Sequence, residues 1–478
     1  MKRYLKTGAV LSLVLFSAGC DDFIQGPGLT ENPNSPTGGT AKQQLIAVQA
    51  RMSTLLEGQL ARTAGIYTQQ IIGQNNQQLS VTQYQYGESD YSGFFSGFYV
   101  GGGLVALRNI QAISVANGDK LMEGIALIWE GLAMGTATSI WGDIPYSEAV
   151  STVLTPKLDS QEQVYAAVQQ RLDEGIAALQ AAGGTGTAET ADLVYCATAG
   201  CQRAQQISRW IAAANTLKAR FHLDLVERNG NAAYTAALAA ANNGIMEAPT
   251  TPAQAMHGQA PGDFRTFHGG VQDVDANVWA GFLAQRGGDI RAGNTLVQIL
   301  ASRNDPRLTA YFAPNASGEI RGLDRNANPV GGTASEINTA VRRVFSFRQP
   351  IVTWAENQMI MAEAKFVLQN PAAALPHVNA VRTAVGLAPL AAVTFEDVMI
   401  EKYIVMFQNI AVWSDYRRTC FPRITPFGTG AEVPGRIPYG SFERTNNPNF
   451  PLPSAFPDKT TGVSAQRNWN DPNPCPSA

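Results

Sequence analysis

The sequence predicts a mainly α-helical chain of tetratricopeptide-like helix pairs broken by long loops. Three observations lead there. Helical apolar periodicity dominates after residue 40. Several of these stretches are rich in Ala and Gly, small residues that let paired helices cross closely. Between 130 and 365 the helical stretches are separated by Gly/Pro/Asn-rich segments, at 181–206, 247–278 and 313–341. Those are long for structureless connections, and long loops in compact domains often carry function. The strict Trp-Leu-Gly-Tyr repeat signature is absent, so the pairing rests on periodicity.

The chain opens with Met1-Lys2-Arg3 and Lys6, an apolar run from Ala9 to Phe16, and then Ser17-Ala18-Gly19-Cys20-Asp21-Asp22. A charged start, a short apolar run and small residues before a cut have the shape of a secretory signal. The junction resembles a bacterial lipobox, with Ser17 where Leu is usual. It implies that residues 1–19 are removed and Cys20 is lipidated; the alternative is a plain signal peptide, or a core helix, with a free Cys20. The apolar run is far shorter than the roughly 20 residues a spanning helix needs, so the chain is expected to be anchored by lipid rather than to cross a membrane. Residues 20–40, with Gly26-Pro27-Gly28, Asn32-Pro33-Asn34-Ser35-Pro36 and Gly38-Gly39, read as an exposed tether.

Helical patterns then cover 41–72, 120–141, 160–180, 207–228, 352–369 and 395–413. In 160–180, Val164, Val168, Leu172, Ile176 and Leu179 fall on one face, and Ser160 with Gln163 has capping-box spacing. Residues 421–478 are rich in proline and lack periodicity, so they are expected to wrap the helical body as coil. No clean linker splits 41–478, which reads as one domain.

Composition narrows function. Of 478 residues 45% are hydrophobic, enough for a large core, and the net charge is −3 with no Lys/Arg cluster outside the first residues. Nucleic-acid binding needs a basic footprint and is not expected. With Cys20 set aside, four cysteines remain, and an even number in an exported chain suggests disulfides. Cys196 and Cys201 flank a small loop that suits a local clip, and Cys475 is placed to tie the tail to Cys420. A zinc site is the rival, but Cys-x4-Cys without a nearby His is not its usual spacing, so no metal is expected.

Motifs of catalysis are missing. His222, His257, His268 and His377 are scattered, and no His-Glu-x-x-His, Gly-x-Ser-x-Gly or phosphate-loop pattern occurs. Gly101-Gly102-Gly103 lacks the Lys and Ser/Thr of a phosphate cradle. Gly142-Asp143-Ile144-Pro145 reads as a helix end, and Asp305-Pro306-Arg307 as a helix start with Asp as cap. Glu356 and Glu363 share a helical face, but a glycosidase pair faces across a cleft; packing is the expected role. No catalytic residue and no cofactor are expected.

Several segments in order resemble the SusD/RagB family of outer-membrane nutrient-binding lipoproteins. They are Gly19-Cys20-Asp21-Asp22-Phe23; Trp141-Gly142-Asp143-Ile144-Pro145-Tyr146-Ser147-Glu148-Ala149; Pro156-Lys157-Leu158-Asp159-Ser160-Gln161-Glu162; and Trp210 with Ala214-Asn215-Thr216-Leu217-Lys218-Ala219-Arg220. Asn304-Asp305-Pro306-Arg307-Leu308, Ala362-Glu363-Ala364, and Asn379-x-Val381-Arg382 through Gly386-Leu387 complete the set. A late segment departs, since Glu401-Lys402 to Asp415-Tyr416-Arg417-Arg418 lacks the middle Glu-Gly of that family. The resemblance implies a SusD-like helical fold with four tetratricopeptide-like pairs and long loops that hold the ligand site. It implies no catalysis, and delivery of oligosaccharides or peptides to a TonB-dependent (SusC-like) outer-membrane transporter.

The segment 69–99 is the best binding candidate. Gln69, Gln70, Gln74, Asn75, Asn76, Gln77, Gln78, Gln83 and Gln85 offer amides that pair with hydroxyls in both directions. Tyr84, Tyr86, Tyr91, Phe94, Phe95, Phe98 and Tyr99 offer rings that stack on a sugar face. Neutral oligosaccharides suit this chemistry, and peptide backbones also fit. Tyr91, Phe95 and Phe98 are spaced as a core stripe, which is the expectation for Phe98. Tyr84 and Tyr86, in a polar Gly-flanked stretch, are expected to be exposed. The resemblance places a second aromatic on a later loop, for which Trp279 is the candidate. Tyr84, Tyr86, Tyr91, Phe94 and Trp279 are thus the expected ligand residues. A protein-binding scaffold without small ligand and a secreted glycan hydrolase are the rival readings.

Overall fold

The computed structural model describes residues 39–197, 200–272, 274–428, 432–451 and 467–476. Cys20 and nearly all of the expected tether lie outside the described residues.

Thr40 opens α1 (Ala41–Glu57) with a reciprocal capping box to Gln43. Gly58 interrupts the run before α2 (Gln59–Tyr67), and β1 (Ile71–Gly73) follows. The single pattern expected over 41–72 is therefore two helices and a short strand. The aromatic-rich segment carries α3 (Asn76–Thr82) and α4 (Glu88–Gly97). The paired helices begin with α5 (Leu104–Asn117) and α6 (Lys120–Trp141), joined where Gly118 takes φ +68° and Asp119 caps the Met122 N–H at 3.1 Å. Then come α7 (Gln161–Ala182), opened by the expected Ser160/Gln163 box, α8 (Arg203–Leu223) and α9 (Val226–Ala241).

The loop-rich middle holds α10 (Pro252–His257), β2 (Phe264–Arg265), α11 (Val278–Arg286), β3 (Ile290–Ala292), α12 (Asn294–Ser302), α13 (Arg307–Tyr311) and β4 (Pro350–Val352). Helix pairing resumes with α14 (Trp354–Leu368), α15 (Pro371–Ala384), α16 (Phe395–Val405) and α17 (Ala411–Thr419). Among its described residues, the proline-rich end is coil apart from the short α18 (Ser441–Asn446).

Sequential helices pack on one another through α5, α6, α7, α8 and α9; α9 then packs on α14, and α14 on α15. The fold is mainly α, as expected. Helix α6 is buried on every side from Gly124 to Trp141. It approaches α7 closely because a Cβ at Gly131 would lie 2.6 Å from Leu172 and one at Gly124 2.6 Å from Leu179. Two antiparallel two-stranded ladders staple the middle loops: β1 to β3, pairing Ile71 with Ala292, and β2 to β4, pairing Phe264 with Val352. Cys196 pairs with Cys201 and Cys420 with Cys475.

The motif residues sit in the framework. Gly142 ends α6 with φ +79°. Asp143 does more than close its own turn, because its Oδ1 accepts the Gln161 N–H that opens α7, at 2.8 Å. Asp305 Oδ1 accepts the Arg307 N–H at 2.9 Å, as a cap should. Arg307, wholly buried, is clamped between Asp305 and Glu401, each at 2.6 Å. Glu363 meets Lys402 at 3.1 Å and Arg418 more closely, while Asp415 meets Lys402 at 2.8 Å and also pairs with Arg418. Glu356 pairs with Arg220 at 2.6 Å. Both carboxylates once open to a catalytic reading are thus neutralised by buried guanidinium groups.

Candidate functional site

Ladder β1–β3 is what assembles the candidate site. It brings the aromatic-rich segment against the loop that follows α11. Gln74 Nε2 and Asn75 Nδ2 donate to the Gly288 carbonyl at 2.7 and 2.8 Å, and Asn76 Nδ2 donates to Asp289 Oδ1 at 2.9 Å. The later loop therefore does face segment 69–99.

The same bonds correct the reading of the amides. Gln70 Nε2 donates to the Tyr403 carbonyl at 2.8 Å, Gln69 Nε2 to the Thr425 carbonyl at 2.7 Å, and Gln78 Nε2 to Gln59 Oε1 at 2.8 Å. Six of the nine amides thus bond within the protein, fastening the segment to helices, to the C-terminal coil and to the later loop. Asn75, Asn76, Gln77 and Gln85 keep exposed surface.

The aromatic residues divide. Phe98 is fully buried, as expected, and Phe95 and Tyr91 are buried with it, so the whole stripe packs inward. Tyr91 also hydrogen-bonds Thr63 Oγ1 at 2.9 Å. Tyr84 is 8% exposed rather than exposed. Its ring lies edge-on to Tyr67 at 5.6 Å and its hydroxyl accepts the Phe427 N–H at 3.3 Å. Burial pushes the Tyr84 hydroxyl up to about 12. Tyr86 is half-buried against Tyr91, at 5.4 Å, and Phe94 is half-buried at 6.2 Å from the same ring. Trp279 is 0% exposed, so it does not present a ring at the surface. One turn on, Phe282 of α11 is half-buried and takes the position expected of Trp279. The physical reason is amphipathic spacing: on α11, Trp279, Ala280 and Leu283 turn inward and leave Phe282 at the rim.

Between these rings sits a residue absent from the sequence-based expectation. The Arg62 guanidinium lies 4.1 Å from the Phe282 ring centroid and 5.9 Å from that of Trp279. Its Nε donates to Gln59 Oε1 at 3.3 Å, yet its Nη1 meets no acceptor among the described residues and no carboxylate pairs with it there. Burial pulls its pKa down to about 9; the nearby Tyr91 opposes that shift and Arg286 adds to it. A signal existed: Arg62 is the only charged residue between Glu57 and Glu88. The arrangement is an unpartnered donor beside Phe282 and near Tyr91, whose ring in turn meets Tyr86 and Phe94, a combination that suits a neutral ligand with hydroxyl or carbonyl oxygens and an apolar face.

Comparison with known proteins agrees with this fold. The SusD-like family, described as starch-binding and associating with the outer membrane, matches residues 33–368. No curated protein matches. Among solved structures, a chitin-binding protein is 23% identical, covering 91% of this chain and 100% of its own, with TM-score 0.73. A chitin-binding SusD homolog from Flavobacterium johnsoniae is 20% identical over 90% of this chain and 98% of its own, with TM-score 0.69. A SusD/RagB family protein from Bacteroides thetaiotaomicron is 19% identical over 91% and 99%, with TM-score 0.67.

Proposed function

The chain belongs to the SusD-like family, and on that premise we propose that it is an outer-membrane, lipid-anchored protein that binds an oligosaccharide and hands it to a TonB-dependent transporter. The observation that carries the reading is Arg62, a buried guanidinium beside Phe282 whose Nη1 meets no acceptor among the described residues. Stacking of a sugar ring on Phe282, Tyr86 or Phe94 supplies affinity, and the Arg62 donor fixes orientation by bonding a ring or hydroxyl oxygen. The chitin-binding neighbours and the family's starch-binding description both favour a glycan over a peptide.

Calorimetric titration of the purified chain with malto- and chito-oligosaccharide series tests this. One series should bind, and Arg62→Met should weaken it about tenfold or more, the worth of a hydrogen bond to a charged group. Silence of both series in the unaltered chain sinks the glycan reading, while equal affinity of the Met variant removes Arg62 from it. For the anchor, mass spectrometry of the membrane fraction should find no peptide from residues 1–19 and an acylated Cys20. A Cys20→Ala chain that still partitions into membranes would refute it.

A further inference from the structure

A second concave site lies away from Arg62, on the other side of α4. It is a cavity of about 270 Å³ between α4, the start of α5, the loop 145–156 and α18. Phe95, Tyr99 and Phe450 form aromatic walls, and Pro145 and Pro156 complete them. The rim is unusually apolar for a surface. Leu154 is 95% exposed, and Val100, Val105 and Val150 are exposed beside it. Phe442, next to Glu443 in the chain, is 70% exposed. Exposed apolar clusters of this kind mark places where another molecule docks.

The polar groups of the cavity say what docks. Tyr99 donates its hydroxyl to the Pro145 carbonyl at 3.0 Å, Ser96 to the Ser92 carbonyl at 3.1 Å, Asn447 its amide to the Pro156 carbonyl at 2.7 Å, and Asn446 to the Phe442 carbonyl at 2.7 Å. Both hydroxyl donors, and one N–H of each amide, are spent on the protein itself, so a sugar would find few hydrogen-bond donors here. Glu443 differs. It is half-buried, and no donor or cation meets its carboxylate among the described residues; the adjacent Arg444 is turned to Glu88 at 2.8 Å. Burial raises the Glu443 pKa above the usual carboxylate range.

We infer that this cavity receives a lysine side chain from a partner protein, flanked there by apolar residues that cover the Leu154 rim. The volume admits one long side chain and is small for an oligomer. The lysine stem lies along Phe95, Tyr99 and Phe450, in the way such stems cover apolar surface while the head seeks charge. The ammonium then reaches the Glu443 carboxylate, which is without a partner among the described residues. This surface is separate from the glycan reading and stands or falls independently of it.

The test is methyl-detected NMR of the full chain labelled at valine and leucine, titrated with acetyl-Leu-Leu-Lys-Leu-amide and with its norleucine twin. The lysine peptide should move the Val100, Val105, Val150 and Leu154 methyls, and the norleucine twin should bind about threefold more weakly, as for one partly exposed ion pair. Glu443→Gln, checked for an otherwise unchanged spectrum, should make the two peptides equal. Equal binding of both peptides to the unaltered chain overturns the assignment, as does the absence of any shift at these methyls. Shifts of the same methyls by oligosaccharides, by anionic vesicles, or by raising the protein concentration alone would likewise overturn it, in favour of a sugar, a lipid surface or a second copy.

Discussion

Two buried arginine environments in this molecule differ in one respect. Arg418 and Arg307 are enclosed by carboxylates, from Glu363 and Asp415 and from Asp305 and Glu401. Arg62 is as deeply placed but faces aromatic rings and one amide, without a carboxylate among the described residues. Burial lowers all three pKa values, but the acidic partners outweigh it for Arg418 and Arg307 and push both up, whereas Arg62 falls to about 9. The first pair holds the fold together. Arg62 has no carboxylate to hold it among the described residues, and that is the physical difference between the two environments.

The comparison breaks most sharply at Glu363. Removing it by Glu363→Ala strands Arg418 and Lys402 without one of their partners, and should cost about 3–5 kcal/mol in chemical denaturation. A loss below about 1 kcal/mol would mean that water replaces the carboxylate. A similar loss, about 3 kcal/mol or more, is expected for Phe98→Ala, which empties a fully buried aromatic site.

Arg62→Met should behave in the opposite way. It removes an unpaired buried charge, so stability should stay level or rise by up to about 2 kcal/mol while glycan affinity falls. If this variant is destabilised as Glu363→Ala is, Arg62 belongs with the structural arginines and the contrast collapses. A smaller effect sharpens the site: Tyr86→Ala should lower affinity about fivefold, the worth of one stacked ring, without lowering the melting temperature.

Acid separates the same regions. Burial alone would raise the Glu363 pKa, but the Arg418 and Lys402 charges and hydrogen bonds outweigh it and hold it well below the usual carboxylate range. The unfolded chain therefore takes up the Glu363 proton first as pH falls. Stability from this group is complete above the unfolded carboxylate pKa, about 4.3, and drains away below it. Denaturation midpoints should fall below that pH in the unaltered chain and fall less in Glu363→Gln.

The framework was largely legible in the sequence, and the site was much less so. Trp141-Gly142-Asp143, Asn304-Asp305-Pro306-Arg307 and Ala362-Glu363-Ala364 announce helix ends and buried charges because their chemistry is local or needs a polar residue in an apolar helix. Residues 120–141 and 160–180 were readable for the same reason, periodicity, and α6 and α7 lie within two residues of them. Tyr84 and Trp279 misled because exposure is not a local property. Tyr84 sits in polar sequence yet is covered by Tyr67 and Phe427 from elsewhere in the chain. Arg62 left one trace in the sequence, as the only charged residue between Glu57 and Glu88, but what makes it unusual is the carboxylate missing from its described surroundings, which no local pattern records.

The β1–β3 ladder has a consequence for the order of assembly. It joins Ile71 to Ala292, and the loop that it fastens carries Phe282 to Arg62. Pairings between such distant parts of a chain are slow to form, because the intervening length must be ordered first. The contact between Phe282 and Arg62 should thus be among the last parts of the molecule to appear during folding. No fragment ending before Ile290 can own it, however well its helices pair. On the proposed reading, ligand capture would certify that a chain is finished: a molecule able to hold sugar there would be one whose early and late parts have already met.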